Sequence, residues 1–355
     1  MAGSLIKSVV LNNFNAGSDA SNNLFYWASD IAATNTDWIR IWIDWTVLAP
    51  NAPEDGRAIN PALDTKAPDD GSWSPAAYVY YLDFQVRAAR KAGFKVIITF
   101  WLYPKWANGG GQVYELAEDC SLTGPWAQYL LWILTRYSVY NPDNEGGYAD
   151  IVEICNETDY APSAAGDRSD TAAKTAQMMV TAKQLRDTNH LQAPILAGPA
   201  HTDDPGSDGW VDMLIADLQG MGFHGDASFA WTLHNYTDVA LGTVSRAQTT
   251  RAKLAPFWAG WPHGVAGDDS TFVLSTEGGS LAADRTLQRD LVANAFARYR
   301  ADDTGKGLLM FSQYLNVSSP VFDSGMRDYS VNQPQGASLD RGAPRRPLWA
   351  TWSRL

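Results

Sequence analysis

Short apolar runs alternate with longer amphipathic stretches along the chain, and this alternation constrains the fold more than any other sequence feature. Each run is only a few residues long and mostly apolar throughout, which is typical of a parallel strand buried on both faces. The expected strands cover residues 5–11, 38–43, 95–100, 151–156, 195–198, 228–233, 272–276 and 307–311. The expected helices cover residues 22–33, 75–92, 125–140, 171–188, 210–218, 245–259, 283–301 and 347–355.

Eight strands alternating with eight helices predict an α/β fold, a single eight-fold β/α barrel, rather than an open doubly wound sheet. No composition break divides the chain, so residues 1–355 are expected to form one domain, with long loops after strands two, three and eight. Open sheets that bind nucleotides carry Gly-rich phosphate motifs, and neither G-x-G-x-x-G after the first strand nor G-x-x-x-x-G-K-[ST] occurs. The glycines at 109–111 are therefore expected to form a flexible loop, and Ser74 is expected to cap the helix that follows it.

Composition narrows the class of partner. Of the 355 residues, 45% are hydrophobic, which is enough for a sizeable core. No apolar run approaches the roughly 18 residues of a membrane span. The net charge is −12 and the basic residues are scattered, which argues against nucleic acid. Neither a membrane nor a nucleic acid is expected as a partner, and the oligomeric state stays open.

Two further features concern the cellular compartment. No secretory signal precedes the first expected strand, so the protein is expected either in the cytoplasm or outside the cell after removal of a leader, and we slightly favour secretion. The two cysteines, Cys120 and Cys155, do not make a disulfide framework, and their pairing stays open. Because Cys155 lies inside an expected strand, we interpret it as a buried thiol.

Glutamate is scarce, with seven Glu against thirty-two Asp, yet two of the seven close expected strands. Glu157 follows the fourth strand and Glu277 follows the seventh. The carboxyl ends of all strands meet at one face of such a barrel, where active sites are built. Other polar and aromatic side chains are expected at the same strand ends, namely Arg40, Asp44, Trp101, Asn156, His201, His234, Tyr236, Gln313 and Tyr314. Two carboxyl groups that face each other are the minimal set for cleaving a glycosidic bond.

These residues together resemble the retaining glycoside hydrolases of clan A. The resemblance rests on Asn156-Glu157, on Glu277, on His234-Asn235-Tyr236 and on Arg40. The stretch from Trp101 to Trp106, which reads WLYPKW, is similar to a Pro-x-Trp element of family 39, and family 5 is about as similar. The chain departs from many relatives at Thr158, where they carry Pro, and it lacks an evident Trp on strand eight, where Gln313 and Tyr314 stand.

The resemblance implies a carbohydrate substrate and two-step retaining cleavage, with no cofactor and no metal. In it Glu157 is the general acid/base, Glu277 is the nucleophile and Asn156 contacts the sugar 2-hydroxyl. The expected substrate-binding residues are Arg40, Asp44, Trp101, Asn156, His201, His234, Tyr236 and Tyr314. The sugar, the linkage and endo or exo action stay open, since xylan, β-glucan, mannan and arabinofuranosyl substrates all suit this chemistry.

Retaining cleavage needs one protonated and one ionised carboxyl group. We expect Arg40 and the Tyr236 hydroxyl to favour ionised Glu277, and we expect Glu157 to keep its proton to higher pH. Glu153 lies deeper on the same strand as Glu157 and is interpreted as a buried structural residue, with Arg40 as its candidate partner. Asp159 is expected at the rim.

Two other classes of function agree less well with the sequence. A metal-dependent barrel hydrolase needs paired histidines such as H-x-H at strand ends, and none of the five histidines, at 190, 201, 224, 234 and 263, is so paired. A non-catalytic carbohydrate-binding barrel keeps the aromatic residues and loses a carboxylate, whereas both glutamates are present here. The sequence therefore favours the glycoside hydrolase.

Overall fold

The computed structural model forms a closed barrel of eight parallel strands, which confirms the predicted fold class. It describes residues 5–10, 24–53, 59–67, 73–139, 141, 147–160, 168–191, 194–223, 229–257, 273–302, 308–314, 326 and 345–355. The strands are β1 (Ile6–Val10), β2 (Trp38–Asp44), β3 (Lys95–Trp101), β4 (Ile151–Glu153), β5 (Ile195–Thr202), β6 (Phe229–His234), β7 (Val273–Glu277) and β8 (Leu308–Tyr314). Each strand pairs with the next in chain order, and β8 pairs with β1 to close the barrel.

Helices surround the barrel. They are α1 (Leu24–Ala32), α2 (Trp45–Leu48), α3 (Pro75–Lys91), α4 (Pro125–Arg136), α5 (Arg168–Thr188), α6 (Ser207–Gly220), α7 (Tyr236–Leu241), α8 (Ser245–Phe257), α9 (Arg285–Asp302) and α10 (Pro347–Trp352). All seven residues of β2 are buried, as a strand between the barrel interior and the helices requires. Ser74 caps α3 as predicted, because its side chain accepts the N–H of Ala77 at 3.3 Å.

Two short helices, α2 and α7, were not predicted. Both follow a strand directly at the carboxyl face, and each is too short to show helical periodicity. The structure describes the predicted loop after β3 but little of the predicted loop after β8. The loop after β3 is present, and Gly109 and Gly110 adopt positive φ values of 72° and 90° there. The loop after β8 lies outside the described residues, except for Met326, Arg345 and Arg346.

The fourth and fifth strands differ from their predicted bounds. β4 ends at Glu153, so Asn156 lies beyond the strand rather than at its end, and Glu157 does not follow the strand directly as expected. The chain still follows β5, because the N–H of Glu157 donates to the carbonyl of Ala200 at 3.0 Å. β5 runs past the expected end at residue 198 through Pro199, which is tolerated because the pairing with β6 is irregular between Pro199 and His201.

The aromatic residues beyond β2 and β3 form a packed cluster rather than an open surface. Trp45 is fully buried and lies 5.5 Å from Trp106 and 6.0 Å from Tyr103, measured between ring centroids. Trp106 also donates its indole N–H to the carbonyl of Ala49 at 2.8 Å. This cluster joins the loop after β3 to α2, so the family 39-like stretch contributes to loop structure.

The two cysteines are free and both are buried, which confirms the prediction of a buried thiol for Cys155. Among the helices in the described part of the chain, none is both long enough and apolar enough to span a bilayer.

Candidate active site

Arg40 lies at the centre of the polar interior of the barrel, fully buried on β2. Its Nη1 donates to Glu277 Oε2 at 2.6 Å, and its Nε donates to Glu153 Oε2 at 2.9 Å. Its Nη2 donates to Glu153 and also to Asn156 Oδ1 at 2.8 Å. The guanidinium carbon lies 4.1 Å from the ring centroid of Trp42. One cation therefore joins Glu153 on β4, Asn156 beyond that strand and Glu277 at the end of β7.

Glu153 balances the charge of this arginine. Besides the two Arg40 contacts, its carboxylate accepts the hydroxyls of Thr99 and Thr276, each at 2.7 Å. Burial opposes ionisation of Glu153, but the charge of Arg40 and that of His234, together with these hydrogen bonds, outweigh it and hold the pKa below its ordinary value. The expected pairing of Glu153 with Arg40 is confirmed.

An irregularity in the pairing of β6 with β7 directs both Thr276 and Glu277 to this polar cluster. Leu233 pairs with Ser275, whereas His234 pairs with Glu277, so that one extra residue is accommodated on β7. Regular alternation turns neighbouring side chains to opposite faces, and a bulge removes that restriction locally. As a result Thr276 reaches Glu153 while Glu277 reaches Arg40.

Glu277 accepts two direct hydrogen bonds, from Arg40 on Oε2 and from the Tyr236 hydroxyl on Oε1, each at 2.6 Å. Tyr236 is the first residue of α7, so the turn between β6 and α7 aims its ring back at β7. The edge of Tyr236 also meets the ring of Tyr314, at 6.3 Å between centroids. The carboxyl of Glu277 is therefore fixed at both oxygens.

His234 lies between the two carboxyl groups and contacts Glu157 directly. The imidazole Nδ1 lies 2.9 Å from Glu157 Oε1, and Nε2 lies 3.8 Å from Glu277 Oε2. Ligand-type atoms of Glu157, His234 and Glu277 all lie within 4.8 Å of one another. His234 is fully buried, whereas the side chain of Glu157 keeps 28% of its surface exposed. Glu157 thus faces both its partner carboxyl and solvent.

Arg40 and the Tyr236 hydroxyl favour the ionised form of Glu277 as predicted, but the net pKa shifts of the two carboxyl groups run opposite to the expected order. Burial of Glu277 outweighs the charges of His234 and Arg40, so its pKa lies above its ordinary value. Burial also opposes ionisation of Glu157, but the hydrogen bond and charge of His234 outweigh it, and the pKa of Glu157 is lowered. The direct contact of His234 with Glu157 was not predicted. In the free site, the pKa of His234 is therefore raised while that of Glu157 is lowered, so the imidazole binds a proton more tightly than Glu157 does.

The pKa of His234 itself is raised. Burial lowers it, but the charge of Glu277 and the hydrogen bond to Glu157 more than offset that effect. The raised pKa favours the protonated form of His234, whose Nδ1 lies within hydrogen-bond distance of Glu157.

Two other predicted residues lie at the edge of the site. Trp101 ends β3, is partly exposed, and packs against Trp42 at 5.1 Å between ring centroids. Tyr314 ends β8 beside Tyr236, and its N–H donates to the carbonyl of Gly278. Both aromatic rings therefore remain candidates for contact with a sugar face.

The structure does not bring Asp44 and His201 to the two carboxyl groups. Asp44 caps α2, accepting the N–H of Thr46 at 2.9 Å and the hydroxyl of the same residue at 2.5 Å. His201 is buried, its Nδ1 lies 2.7 Å from the carbonyl oxygen of Thr202, and its ring lies between Trp210 and Trp231. These contacts are structural, and the expected contact of Asp44 and His201 with substrate stays a prediction.

Asp159 is also placed differently from the prediction. It was expected at the rim, but only 2% of its surface is exposed, and it accepts hydrogen bonds from Thr202 and Ser207. Thr99 and Thr276, which both donate to Glu153, were not predicted as site residues. Thr99 pairs in register with Glu153 and could have been found by strand parity, whereas the position of Thr276 depends on the bulge.

The three side chains of Glu157, His234 and Glu277 could bind a metal ion. Within the described part of the chain, the group of Glu157, His234 and Glu277 has the donor types and closeness of a metal site. The Arg40 guanidinium, 2.6 Å from Glu277, places a fixed positive charge next to it. That charge disfavours a second cation at the same carboxylate.

Comparison with known proteins supports the fold. No family model matches the sequence, and no curated protein matches it. Among solved structures, the catalytic domain of a GH30 xylanase C from Talaromyces cellulolyticus superposes with a TM-score of 0.56 at 16% identity, covering 99% of this chain and 75% of the other. A family 39 glycoside hydrolase from Bacteroides cellulosilyticus has a TM-score of 0.59 at 14% identity, covering 99% and 63%.

A structure from a study of two fungal β-1,4-galactanases has a TM-score of 0.57 at 14% identity, covering 99% of this chain and all of the other. The chain thus spans the whole length of that structure, but less than two thirds of the family 39 enzyme. These likenesses show the eight-fold β/α barrel, and the three solved structures named above that share it are glycoside hydrolases.

Proposed function

We propose that this protein is a retaining glycoside hydrolase. The observation that carries the proposal is the meeting of two carboxyl groups, beyond β4 and at the end of β7, with ligand-type atoms within 4.8 Å of each other. Retaining enzymes hold their two carboxyl groups about 5–5.5 Å apart, whereas inverting enzymes separate them by about 6.5–9.5 Å to admit water. The short separation supports direct attack by one carboxylate.

In the proposed first step, a Glu277 oxygen attacks the anomeric carbon as the bond to the leaving oxygen breaks, and Glu157 gives that oxygen a proton. In the second step, Glu157 takes a proton from water, the water oxygen bonds to the anomeric carbon, and Glu277 is released as carboxylate. Arg40 and Tyr236 hold Glu277 in one orientation through both of its oxygens.

His234 supplies the proton that Glu157 needs in this mechanism. The charge of Glu277 is the strongest influence that raises the pKa of His234. When Glu277 bonds to the sugar it loses that charge, so the imidazolium becomes more acidic while Nδ1 lies 2.9 Å from Glu157. Proton transfer to Glu157 is thereby coupled to nucleophilic attack.

The substrate class we propose is a β-linked plant or microbial polysaccharide or its oligosaccharides. Support comes from the structural neighbours, which include a xylanase, an exo-β-1,4-mannosidase and a structure from a study of two β-1,4-galactanases. The first test is a panel of aryl β-glycosides together with xylan, mannan, galactan and β-glucan. Proton NMR of the first product of an active pair should show the anomer of the substrate, and an inverted anomer would exclude the two-step mechanism.

A metal-dependent hydrolase is the second candidate, because Glu157, His234 and Glu277 are close enough to share an ion. We favour the metal-free mechanism on account of the Arg40 charge at Glu277. Dialysis against EDTA should leave the rate on the active substrate unchanged. A rate that is lost on dialysis and restored by Zn²⁺ would support the second candidate instead.

A further inference from the structure

Glu157 has an unusual backbone conformation for a residue with a side chain. Its φ is +47°, in the left-handed region that L-residues other than Gly, Asn and Asp rarely adopt. Such a conformation persists only where the surrounding structure holds it. The proposed acid/base therefore depends on contacts of its neighbours for its position.

The residue after Glu157 does not provide that support. It is Thr158, whose φ, unlike that of Pro, is not fixed by a ring. The next residue, Asp159, does connect the segment to another element, because its carboxylate is hydrogen-bonded to Thr202 on β5.

Two anchors connect this segment to β5. The first is the N–H of Glu157, which donates to the carbonyl of Ala200 at 3.0 Å. Ala200 lies at the irregularity of β5 with a φ of +53°, and its own N–H donates to the Thr232 hydroxyl at 2.9 Å. This anchor thus rests on a bulge that is itself tied to β6.

The second anchor is the buried carboxylate of Asp159. The N–H of Thr202 lies 3.1 Å from both of its oxygens, and the Thr202 hydroxyl donates to Oδ2 at 2.6 Å. The Ser207 hydroxyl, at the start of α6, donates to the same oxygen. An ionised carboxylate is an acceptor only, so it suits three donors that converge on it.

We infer that Asp159 is a positioning residue, which holds Glu157 where it can protonate the leaving group. The inference rests on the proposed function, in which Glu157 is the acid. Asp159 touches neither Glu277 nor the other side chains around Arg40 among its described contacts, so its effect passes through the backbone of residues 157–159.

Asp159→Asn is the test substitution, because the amide keeps the size of the side chain but turns one acceptor into a donor. General acid catalysis contributes about 10²–10⁴-fold, and the contribution is small for a leaving group that needs little protonation. We expect kcat/KM to fall by about 100-fold on the phenyl glycoside and by less than about fivefold on the 2,4-dinitrophenyl glycoside of the same sugar. Ser207→Ala removes only one donor and should give a smaller loss with the same preference.

Asp150→Asn is the matched control. Asp150 lies immediately before β4, at the other end of that strand, where it accepts the N–H of Val96 at 2.8 Å and pairs with Arg90. Its loss should lower the melting temperature while changing the rates on both substrates by the same factor. In a double-mutant cycle, adding Asp159→Asn to Glu157→Ala should cost almost nothing further, because the acid is already absent.

A crystal structure of Asp159→Asn supplies a readout that does not need turnover. The backbone of Glu157 should leave the left-handed region, and its carboxyl should move from His234. An unchanged Glu157 in that structure, or equal losses on the two leaving groups, would overturn the inference. If the unsubstituted protein cleaves no glycoside, the proposed function fails, and the crystal structure still decides whether Asp159 positions Glu157.

Discussion

Replacing Tyr236 with Phe removes one hydrogen bond from the proposed nucleophile and little else. The hydroxyl lies 2.6 Å from Glu277 Oε1, while the other oxygen of that carboxyl remains bound to Arg40. The ring keeps its contacts with His234 and Tyr314. The fold should survive, because one hydroxyl at the carboxyl face contributes little to the core.

The magnitude follows from the burial of the carboxyl group. A hydrogen bond to a charged group contributes about 1.5–3 kcal/mol. Each 1.36 kcal/mol corresponds to about tenfold in rate, so formation of the glycosyl-enzyme should slow by roughly 10- to 100-fold. The Tyr236 hydrogen bond also favours the ionised form of Glu277, whose pKa is already raised by burial. Removing that bond should raise the pKa further, and the acidic limb of the kcat/KM profile should move to higher pH.

The assay is the pH dependence of kcat/KM on an activated aryl glycoside, for which attack by the nucleophile dominates the rate. Tyr299→Phe is the control, because it also removes a buried tyrosine hydroxyl that donates to a carboxylate, here Asp238 Oδ2 at 3.0 Å rather than Glu277. The control should leave the acidic limb in place. A Tyr236→Phe enzyme with an unchanged limb and an unchanged rate would refute the proposed contact between this tyrosine and the nucleophile.

Three further predictions test the site and its frame. Glu277→Ala should abolish turnover of every substrate, whereas Glu157→Ala should slow poor leaving groups far more than activated phenols; equal losses would reject Glu157 as the acid. Gly278→Ala should destabilise the fold by about 1–3 kcal/mol in urea unfolding, since its new Cβ would lie 1.5 Å from Asn235 Oδ1; an unchanged midpoint would show that Asn235 moves freely. Burial lowers the pKa of His201, so the native state favours the neutral imidazole. The protein should therefore lose stability as the pH falls through about 6.5, the pKa of histidine in the unfolded chain. His201→Gln should make the loss of stability with falling pH less steep, and an identical slope would contradict the prediction.

The sequence was sufficient to predict the barrel because each strand and helix is a local pattern. The buried runs, the helix cap at Ser74 and the count of eight units all follow from residues near each other in the chain. Strand parity then brought Arg40 and Glu153 into one interior layer, and the common direction of parallel strands brought Glu157 and Glu277 to one face. The sequence therefore determined which residues could meet.

Tertiary structure decided how they meet. The order of the two carboxyl pKa values depends on the contact of His234 with Glu157, at 2.9 Å, and on the burial of Glu277. Neither the contact nor the burial is determined by the sequence of a single strand. The bulges at Ala200 and before Glu277 set the direction of the side chains around them. Asp44, His201 and Asp159 look alike in the sequence as polar residues at strand ends. Their use as a helix cap, a buried ring and an anchor came from donors and aromatic neighbours on other elements, because hydrogen bonding and desolvation act through space between segments that the fold brings together.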